Sequence, residues 1–136
     1  MAKTEAVYEG DLRCQVVYKL NGHAIKTDAP KENGGRAEFF SPTDLVPAAL
    51  ASCILSVMGI VAARRSIDLK GARVEIEKEM AAPPERRIGR LATEVYLPSG
   101  VGHEYRKMLE ETAMACPVKG SLHPEILVTM RFHYSL

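Results

Sequence analysis

The chain has 136 residues, of which 46% are hydrophobic and 26% are charged, and its 18 basic and 17 acidic side chains give a formal net charge of +1. This length is typical of one compact unit, so we expect residues 1–136 to form a single domain. The balanced charge argues against binding to nucleic acid or to an anionic membrane surface.

The N-terminal segment predicts β-structure. Between Leu12 and Leu20 every second residue is apolar, which is the period of a half-buried strand. The pair Asn21-Gly22 is typical of a tight hairpin turn. Residues 31–40 contain Asn33, Gly34 and Gly35 and predict an irregular loop. We therefore expect two strands before the first long helix.

A long apolar helix is predicted to begin after Ser41. Ser41 suits the N-cap, Pro42 the first helical position, and Asp44 completes a sequence of the capping-box type. No charged residue occurs from Leu45 to Ala63, and we expect the helix to end near residues 64–67. Its 19 uncharged residues are enough for a membrane span. We reject a span because small and polar residues dilute the run and strand patterns flank it.

This helix predicts a partner subunit, because a helix that is apolar on every side must be covered on every side. Small residues form one stripe along it: Ala48, Ser52, Ser56, Gly59 and Ala63. Larger aliphatic residues form the neighbouring face: Leu50, Ile54, Val57 and Val61. One sheet of a small domain covers one face only, so we expect a second copy of the chain to cover another in a homodimer.

The C-terminal half predicts two strands, an amphipathic helix and a final strand. Period-two patterns occur at residues 74–80 and at Ile88–Leu97, the latter expected as the antiparallel partner of the former. A helix is expected over residues 103–115, ending at Cys116-Pro117, and a last strand over residues 126–134. The predicted order is strand, strand, long helix, strand, strand, helix, strand, which is an α+β fold with antiparallel pairs.

The three cysteines indicate a reducing compartment. Cys14, Cys53 and Cys116 are too few and too far apart for the disulfide framework of a secreted domain, and no CxxC motif occurs. The N-terminus also lacks a basic segment followed by an apolar run, so we expect a cytoplasmic protein. In that setting a cysteine is either an inert core residue or a site of redox or nucleophilic chemistry.

The three positions differ in what they favour. Cys14 lies in the apolar register of its strand, which indicates packing, and Cys53 in an apolar helix is by itself best interpreted as a core residue. Cys116 precedes Pro117 at a helix break, where a short turn through Val118-Lys119-Gly120 directs backbone N–H groups toward its sulfur. That position favours the thiolate, and Lys119 adds positive charge.

The sequence contains no motif for a metal site, a nucleotide site or a serine hydrolase. The four histidines have no metal-ligand spacing with each other or with the cysteines, so we expect no metal centre. Nucleotide-binding glycine loops and the serine-hydrolase elbow are absent from the sequence. We expect no bound cofactor.

Two cysteine contexts together resemble the OsmC/Ohr family of thiol-dependent peroxidases. They are the segment from Ser41 to Cys53 and the segment Ala115-Cys116-Pro117-Val118, followed by the alternating last strand. The opening Tyr8-Glu9-Gly10-Asp11-Leu12 is similar to the family's first hairpin. The resemblance spans nearly the whole chain. It implies an intertwined homodimer in which sheets of both subunits wrap a central buried helix, and reduction of organic hydroperoxides by paired cysteines.

Carried onto this chain, the resemblance implies that Cys53 is the peroxidatic thiolate and Cys116 the resolving thiol. Attack on the hydroperoxide releases an alcohol and leaves a sulfenic acid, which condenses with the second cysteine to a disulfide. An external dithiol then restores both thiols. Aliphatic residues around Cys53 on the helical wheel favour bulky apolar hydroperoxides: Val46, Ala49, Val57 and Ile60.

A buried thiolate needs a nearby cation, and the family supplies an arginine that is held by a glutamate. Arg13 in the first hairpin is the best match for this arginine, and Arg36 in the glycine loop is the rival. The sequence departs from the pattern at the glutamate. Thr43 stands ten residues before Cys53, and the acidic residue is the adjacent Asp44.

Two alternatives to the enzyme use the same scaffold. In the first, an apolar pocket at the subunit interface binds a small ligand and the cysteines are silent in redox chemistry. In the second, a Cys53–Cys116 disulfide changes the packing of the dimer and the protein acts as an oxidation sensor.

Overall fold

The computed structural model describes Met1–Leu136, the whole chain. The first three strands are β1 (Thr4–Gly10), β2 (Arg13–Tyr18) and β3 (Ala24–Asp28), followed by the long helix α1 (Leu45–Arg64). The C-terminal half contains β4 (Arg73–Met80), β5 (Ile88–Leu97), α2 (His103–Met114), α3 (Pro117–Gly120) and β6 (Leu127–Tyr134). Short 3₁₀ turns occupy Lys31–Asn33 and Pro42–Asp44. Residues 1–46 and 47–136 form two compact units, which are described separately.

The N-terminal unit contains an antiparallel sheet in the order β1-β2-β3. The prediction of two strands before the helix was therefore one strand short. The loop between β2 and β3 spans residues 19–23, and the Tyr18 N–H donates to the carbonyl of His23 at the end of the loop at 2.8 Å. Gly22 has a φ of +79°, a conformation that glycine adopts at little cost. The register of this hairpin places Arg13 directly opposite Asp28.

The cap that precedes α1 was predicted correctly, although the first turn after it, Pro42–Asp44, is 3₁₀ and α1 itself begins at Leu45. The Asp44 N–H donates to Ser41 Oγ at 3.2 Å, and the Ser41 N–H donates to Asp44 Oδ2 at 3.2 Å. These two bonds are the reciprocal pair of a capping box, with Pro42 at the first position of the turn. They fix the point at which the chain enters the helix that carries Cys53.

The C-terminal unit contains a sheet in the order β4-β5-β6. β4 and β5 are antiparallel as predicted, but β5 and β6 are parallel, so the expectation of antiparallel pairs throughout was wrong. A parallel neighbour needs a long crossover, and residues 98–126 with α2 and α3 provide it. The α+β class is confirmed.

The core of this unit is formed by one face each of α1, β5 and α2. The following side chains are almost completely buried: Leu50, Ile54, Met58 and Ala62 of α1, Leu91, Val95 and Leu97 of β5, and Leu109 and Ala113 of α2. The segment Pro42–Arg64 is long and apolar enough to cross a membrane, with a mean hydropathy of 2.3, and 28% of its most apolar window is buried. Helix α1 therefore keeps an apolar face outside the core of the single chain.

Candidate active site

Cys116 lies at the N-terminus of the short helix α3. Its Sγ accepts a hydrogen bond from the Lys119 N–H at 3.4 Å, and Pro117 occupies the first helical position. The residue is 1% exposed. The predicted turn, with a backbone N–H directed at the sulfur, is confirmed.

The prediction that this position favours the thiolate is not supported. Burial raises the pKa of the Cys116 thiol above its ordinary value of 9.0, and the Lys119 N–H lowers it less than burial raises it. Desolvation penalises the charged sulfur more than one backbone donor stabilises it. Cys116 is therefore a protonated thiol near neutral pH.

Cys53 is the side chain that meets Cys116. It lies on the third turn of α1 and is partly exposed. Interaction with the neighbouring Cys53 sulfur raises the pKa of Cys116 further. Two cysteines far apart along the chain are thus neighbours within the C-terminal unit, and both sulfurs are free thiols.

Arg13 and Arg36 lie in the N-terminal unit, and both pair with the Glu38 carboxylate. Arg13 Nη2 donates to Glu38 Oε1 at 2.6 Å, and Arg36 Nη1 lies 3.9 Å from the same oxygen. The Arg36 side chain is 72% exposed, whereas that of Arg13 is 24% exposed. Of the two predicted cations, Arg13 is the better fixed.

Two carboxylates that the sequence analysis did not identify surround Arg13. Glu38 is one of them, and the other is Asp28, whose Oδ2 lies 3.5 Å from Arg13 Nη2. The cross-strand register that places Asp28 opposite Arg13 is the signal that could have revealed it. Asp44, the acidic residue nearest to the position of the family glutamate, uses its carboxylate in the helix cap.

Two of the four histidines have partners for their side chains close to them in the structure. His133 Nε2 lies 2.7 Å from Glu94 Oε2, and His123 Nδ1 accepts a hydrogen bond from the Glu125 N–H at 3.0 Å. No group of three or more His, Cys, Asp or Glu side chains is placed to hold a metal ion.

Comparison with known proteins relates most of the chain to one family. The family model described as OsmC-like protein matches residues 34–131. A crystal structure from Psychrobacter arcticus 273-4, provisionally described as an osmotic stress induced and detoxification response protein, is 38% identical with a TM-score of 0.92. The match covers 98% of this chain and 96% of that one. Comparison with curated protein sequences gives no match.

More distant structures share the fold. An organic hydroperoxide resistance protein from Legionella pneumophila is 20% identical with a TM-score of 0.77, over 98% of this chain and 96% of that one. The organic hydroperoxide resistance protein of Bacillus subtilis is 17% identical with a TM-score of 0.69, over 97% of each chain. At these identities the likeness concerns the fold alone.

Proposed function

Because the chain belongs to the OsmC-like protein family, we propose that it is a thiol-dependent peroxidase that reduces organic hydroperoxides. Cys53 is the peroxidatic residue in this proposal and Cys116 the resolving one. The observation that carries the proposal is that the two cysteines are neighbours, since interaction with Cys53 helps to raise the pKa of Cys116. A disulfide can form only between cysteines whose backbones bring the two sulfurs together.

The proposed cycle balances without a bound cofactor. The Cys53 thiolate attacks the outer oxygen of the hydroperoxide, the O–O bond breaks, and the leaving alkoxide takes a proton to become an alcohol. The resulting sulfenic acid condenses with the Cys116 thiol, which releases water and forms the disulfide. An external dithiol then reduces the disulfide by exchange and is itself oxidised.

The raised pKa of Cys116 agrees with a resolving role. A protonated Cys116 leaves Cys53 as the thiol that reacts first with peroxide, since only a thiolate is strongly nucleophilic. The Cys53 thiolate requires a cation to stabilise it. We assign that cation to Arg13, which is better fixed than Arg36.

The surroundings of Cys53 on α1 favour apolar substrates. Val57, one turn after Cys53 on the helix surface, is aliphatic and partly exposed. An apolar surface gains free energy by removing a hydrocarbon group from water, at about 25 cal/mol per Å². We therefore propose bulky organic hydroperoxides as substrates in preference to hydrogen peroxide.

A homodimer is part of the proposal. Five residues of α1 form an exposed row along one face: Ala49, Ser52, Ser56, Ile60 and Ala63. A second copy that packs on this row would remove its apolar surface from water. Light scattering after gel filtration should give twice the mass of one chain, 14.9 kDa. The variant Ile60→Glu should shift the protein toward the monomer.

The enzyme hypothesis is tested by turnover with cumene hydroperoxide and dithiothreitol. The wild type should consume peroxide over many cycles. Cys53→Ser should abolish consumption, and Cys116→Ser should support at most slow turnover through direct reduction of the sulfenic acid. Cys14→Ser is the matched control and should retain activity. Equal rates for the wild type and Cys53→Ser would refute the proposal.

A second candidate is ligand binding on the same scaffold. A cavity of about 320 Å³ lies at the C-terminal end of α1, lined mainly by apolar residues that include Leu55, Ile67 and Leu69. Native mass spectrometry that detects a bound molecule, with no Cys53–Cys116 disulfide after mild peroxide treatment, would favour this function. A disulfide that forms once without turnover would favour the oxidation sensor.

We further propose a cytoplasmic location, where the three free thiols remain reduced.

A further inference from the structure

Asp28 is a buried carboxylate at the end of β3. Its side chain is fully buried. Oδ2 accepts a hydrogen bond from the Glu38 N–H at 3.2 Å and lies 3.5 Å from Arg13 Nη2, whereas Oδ1 is buried without a hydrogen-bond partner. A buried carboxylate with one unsatisfied oxygen costs free energy. Arg13 is the cation that compensates for this cost.

Arg13 is held from more than one direction. Its Nη2 donates to Glu38 Oε1 at 2.6 Å and faces Asp28 Oδ2, and its Cζ lies 5.3 Å from the centre of the Phe39 ring. Both ion pairs use the same nitrogen of a group that has five N–H donors. These contacts restrict the guanidinium and leave its other N–H donors outside the two ion pairs.

The loop between the two carboxylates is tightly packed. A Cβ on Gly35 would lie 1.8 Å from the carbonyl oxygen of Ala29, and the Gly35 N–H donates to the carbonyl of Pro30 at 3.0 Å. The loop therefore returns Glu38 to the end of β3, where its backbone N–H meets Asp28. Asp28 and Glu38 act as one assembly around Arg13.

We propose that Asp28 and Glu38 are positioning residues for the Arg13 guanidinium. This inference rests on the proposed function, in which Arg13 stabilises the Cys53 thiolate. The resemblance places a glutamate at the position of Thr43, where this chain has no acidic side chain. The N-terminal sheet and its loop provide the carboxylates instead.

Positioning and simple charge predict opposite effects on the Cys53 thiol. Neutralising a carboxylate beside Arg13 makes the surroundings more positive, and charge alone would then favour the Cys53 thiolate. If the carboxylate holds Arg13 in place, its neutralisation makes the cation mobile, and the Cys53 thiolate is then stabilised less. The direction of the change therefore separates the two roles.

The experiment measures the pH dependence of Cys53 alkylation by iodoacetamide in the background Cys14→Ser/Cys116→Ser. Arg13→Ala should move the midpoint to higher pH. Glu38→Gln and Asp28→Asn should also move the midpoint to higher pH, by about half a pH unit or more. Below the midpoint this shift lowers the fraction of thiolate about threefold. Glu9→Gln is the control, because Glu9 pairs with Lys26 in the same sheet at 3.3 Å.

The carboxylate variants are also combined with Arg13→Ala. If both carboxylates act through Arg13, adding Glu38→Gln to Arg13→Ala should give no further rise. The half-exposed Glu38 keeps the test valid should Asp28→Asn fail to fold.

A midpoint that falls or stays constant in Glu38→Gln, while Arg13→Ala raises it, would overturn the inference and leave the peroxidase proposal intact. A midpoint unaffected by Arg13→Ala would remove the assigned role of Arg13 and the inference with it. Loss of the peroxidase itself is seen separately, as absent turnover in the wild type.

Discussion

Glu94 of β5 and His133 of β6 lie side by side on neighbouring parallel strands, with Oε2 of the carboxylate 2.7 Å from Nε2 of the imidazole. Arg131 donates to the other oxygen, Oε1, through Nε at 2.8 Å and also through Nη2. The carboxylate of Glu94 thus joins two residues of one strand across the sheet. The His133 ring also stacks on Tyr96, with 4.9 Å between ring centres.

The Glu94 cluster predicts a loss of stability in acid. The hydrogen bond from Arg131, and then that with His133, lower the pKa of Glu94 from 4.5 to about 2. A depressed pKa in the folded state gives stabilisation that is present above about pH 4.5 and is lost as the pH falls toward 2. Glu94→Gln should therefore be less stable than the wild type at pH 7 in urea unfolding, and the difference should disappear in this range. Glu77→Gln, exposed on β4, is the control. A difference that persists at the lowest pH would contradict the assignment.

Tyr134 predicts a loss of stability in alkali. Burial raises the pKa of Tyr134, and its hydrogen bond to Glu110 Oε2 at 2.8 Å raises it further. The unfolded chain ionises this phenol near its ordinary pKa of 10, whereas the folded chain does not, so the stabilisation is lost as the pH rises above 10. Tyr134→Phe should lower the free energy of unfolding by about 1 kcal/mol at neutral pH. The deficit should shrink above pH 10 in urea unfolding monitored by circular dichroism, and the same change at the exposed Tyr18 should show neither effect.

Local patterns predicted the elements that depend on neighbouring residues. The capping box at Ser41 and Asp44 and the turn that follows Cys116 were predicted because short-range hydrogen bonds determine them. Strand β5 was predicted with the bounds Ile88–Leu97 because its alternation of buried and partly exposed residues is regular. The parallel arrangement of β5 and β6 depends on the path of a crossover, which residue periodicity does not encode.

Asp28 was missed because its position opposite Arg13 depends on strand register. A two-residue turn at Asn21-Gly22 would pair residue 20 with residue 23 and place Arg13 opposite Pro30. In the structure Val17 pairs with Ala24, which shifts the register by two and places Arg13 opposite Asp28. The pKa of Cys116 was misjudged for a related reason. A sequence shows the local N–H donors of a cysteine but not how deeply other elements bury it.

The close approach of Gly35 to Ala29 predicts that one added methyl group at Gly35 destabilises the loop that carries Glu38. Gly35→Ala would force a Cβ against the backbone of Ala29, which cannot move as a side chain would. We expect a loss of about 1–3 kcal/mol in the free energy of unfolding, as for other overpacked sites. Gly100→Ala is the control, because a Cβ there meets open space. A Gly35→Ala protein as stable as Gly100→Ala in thermal unfolding would show that the loop is looser than described.

The raised pKa of Cys116 predicts that this thiol is unreactive in the reduced protein. Because burial raises its pKa above 9.0, alkylation of Cys116 in the variant Cys14→Ser/Cys53→Ser should titrate at higher pH than that of a cysteine in the urea-unfolded chain. The midpoint reports the pKa, whereas limited access to the buried sulfur lowers the rate at every pH alike. Leu109→Ala serves as a comparison, because it removes a fully buried side chain from the core of the C-terminal unit. Water that enters this core and hydrates Cys116 should move the midpoint back toward the unfolded value. A Cys116 midpoint below that of the unfolded chain would show that the helix N-terminus outweighs burial and would make Cys116 a competing site of peroxide attack.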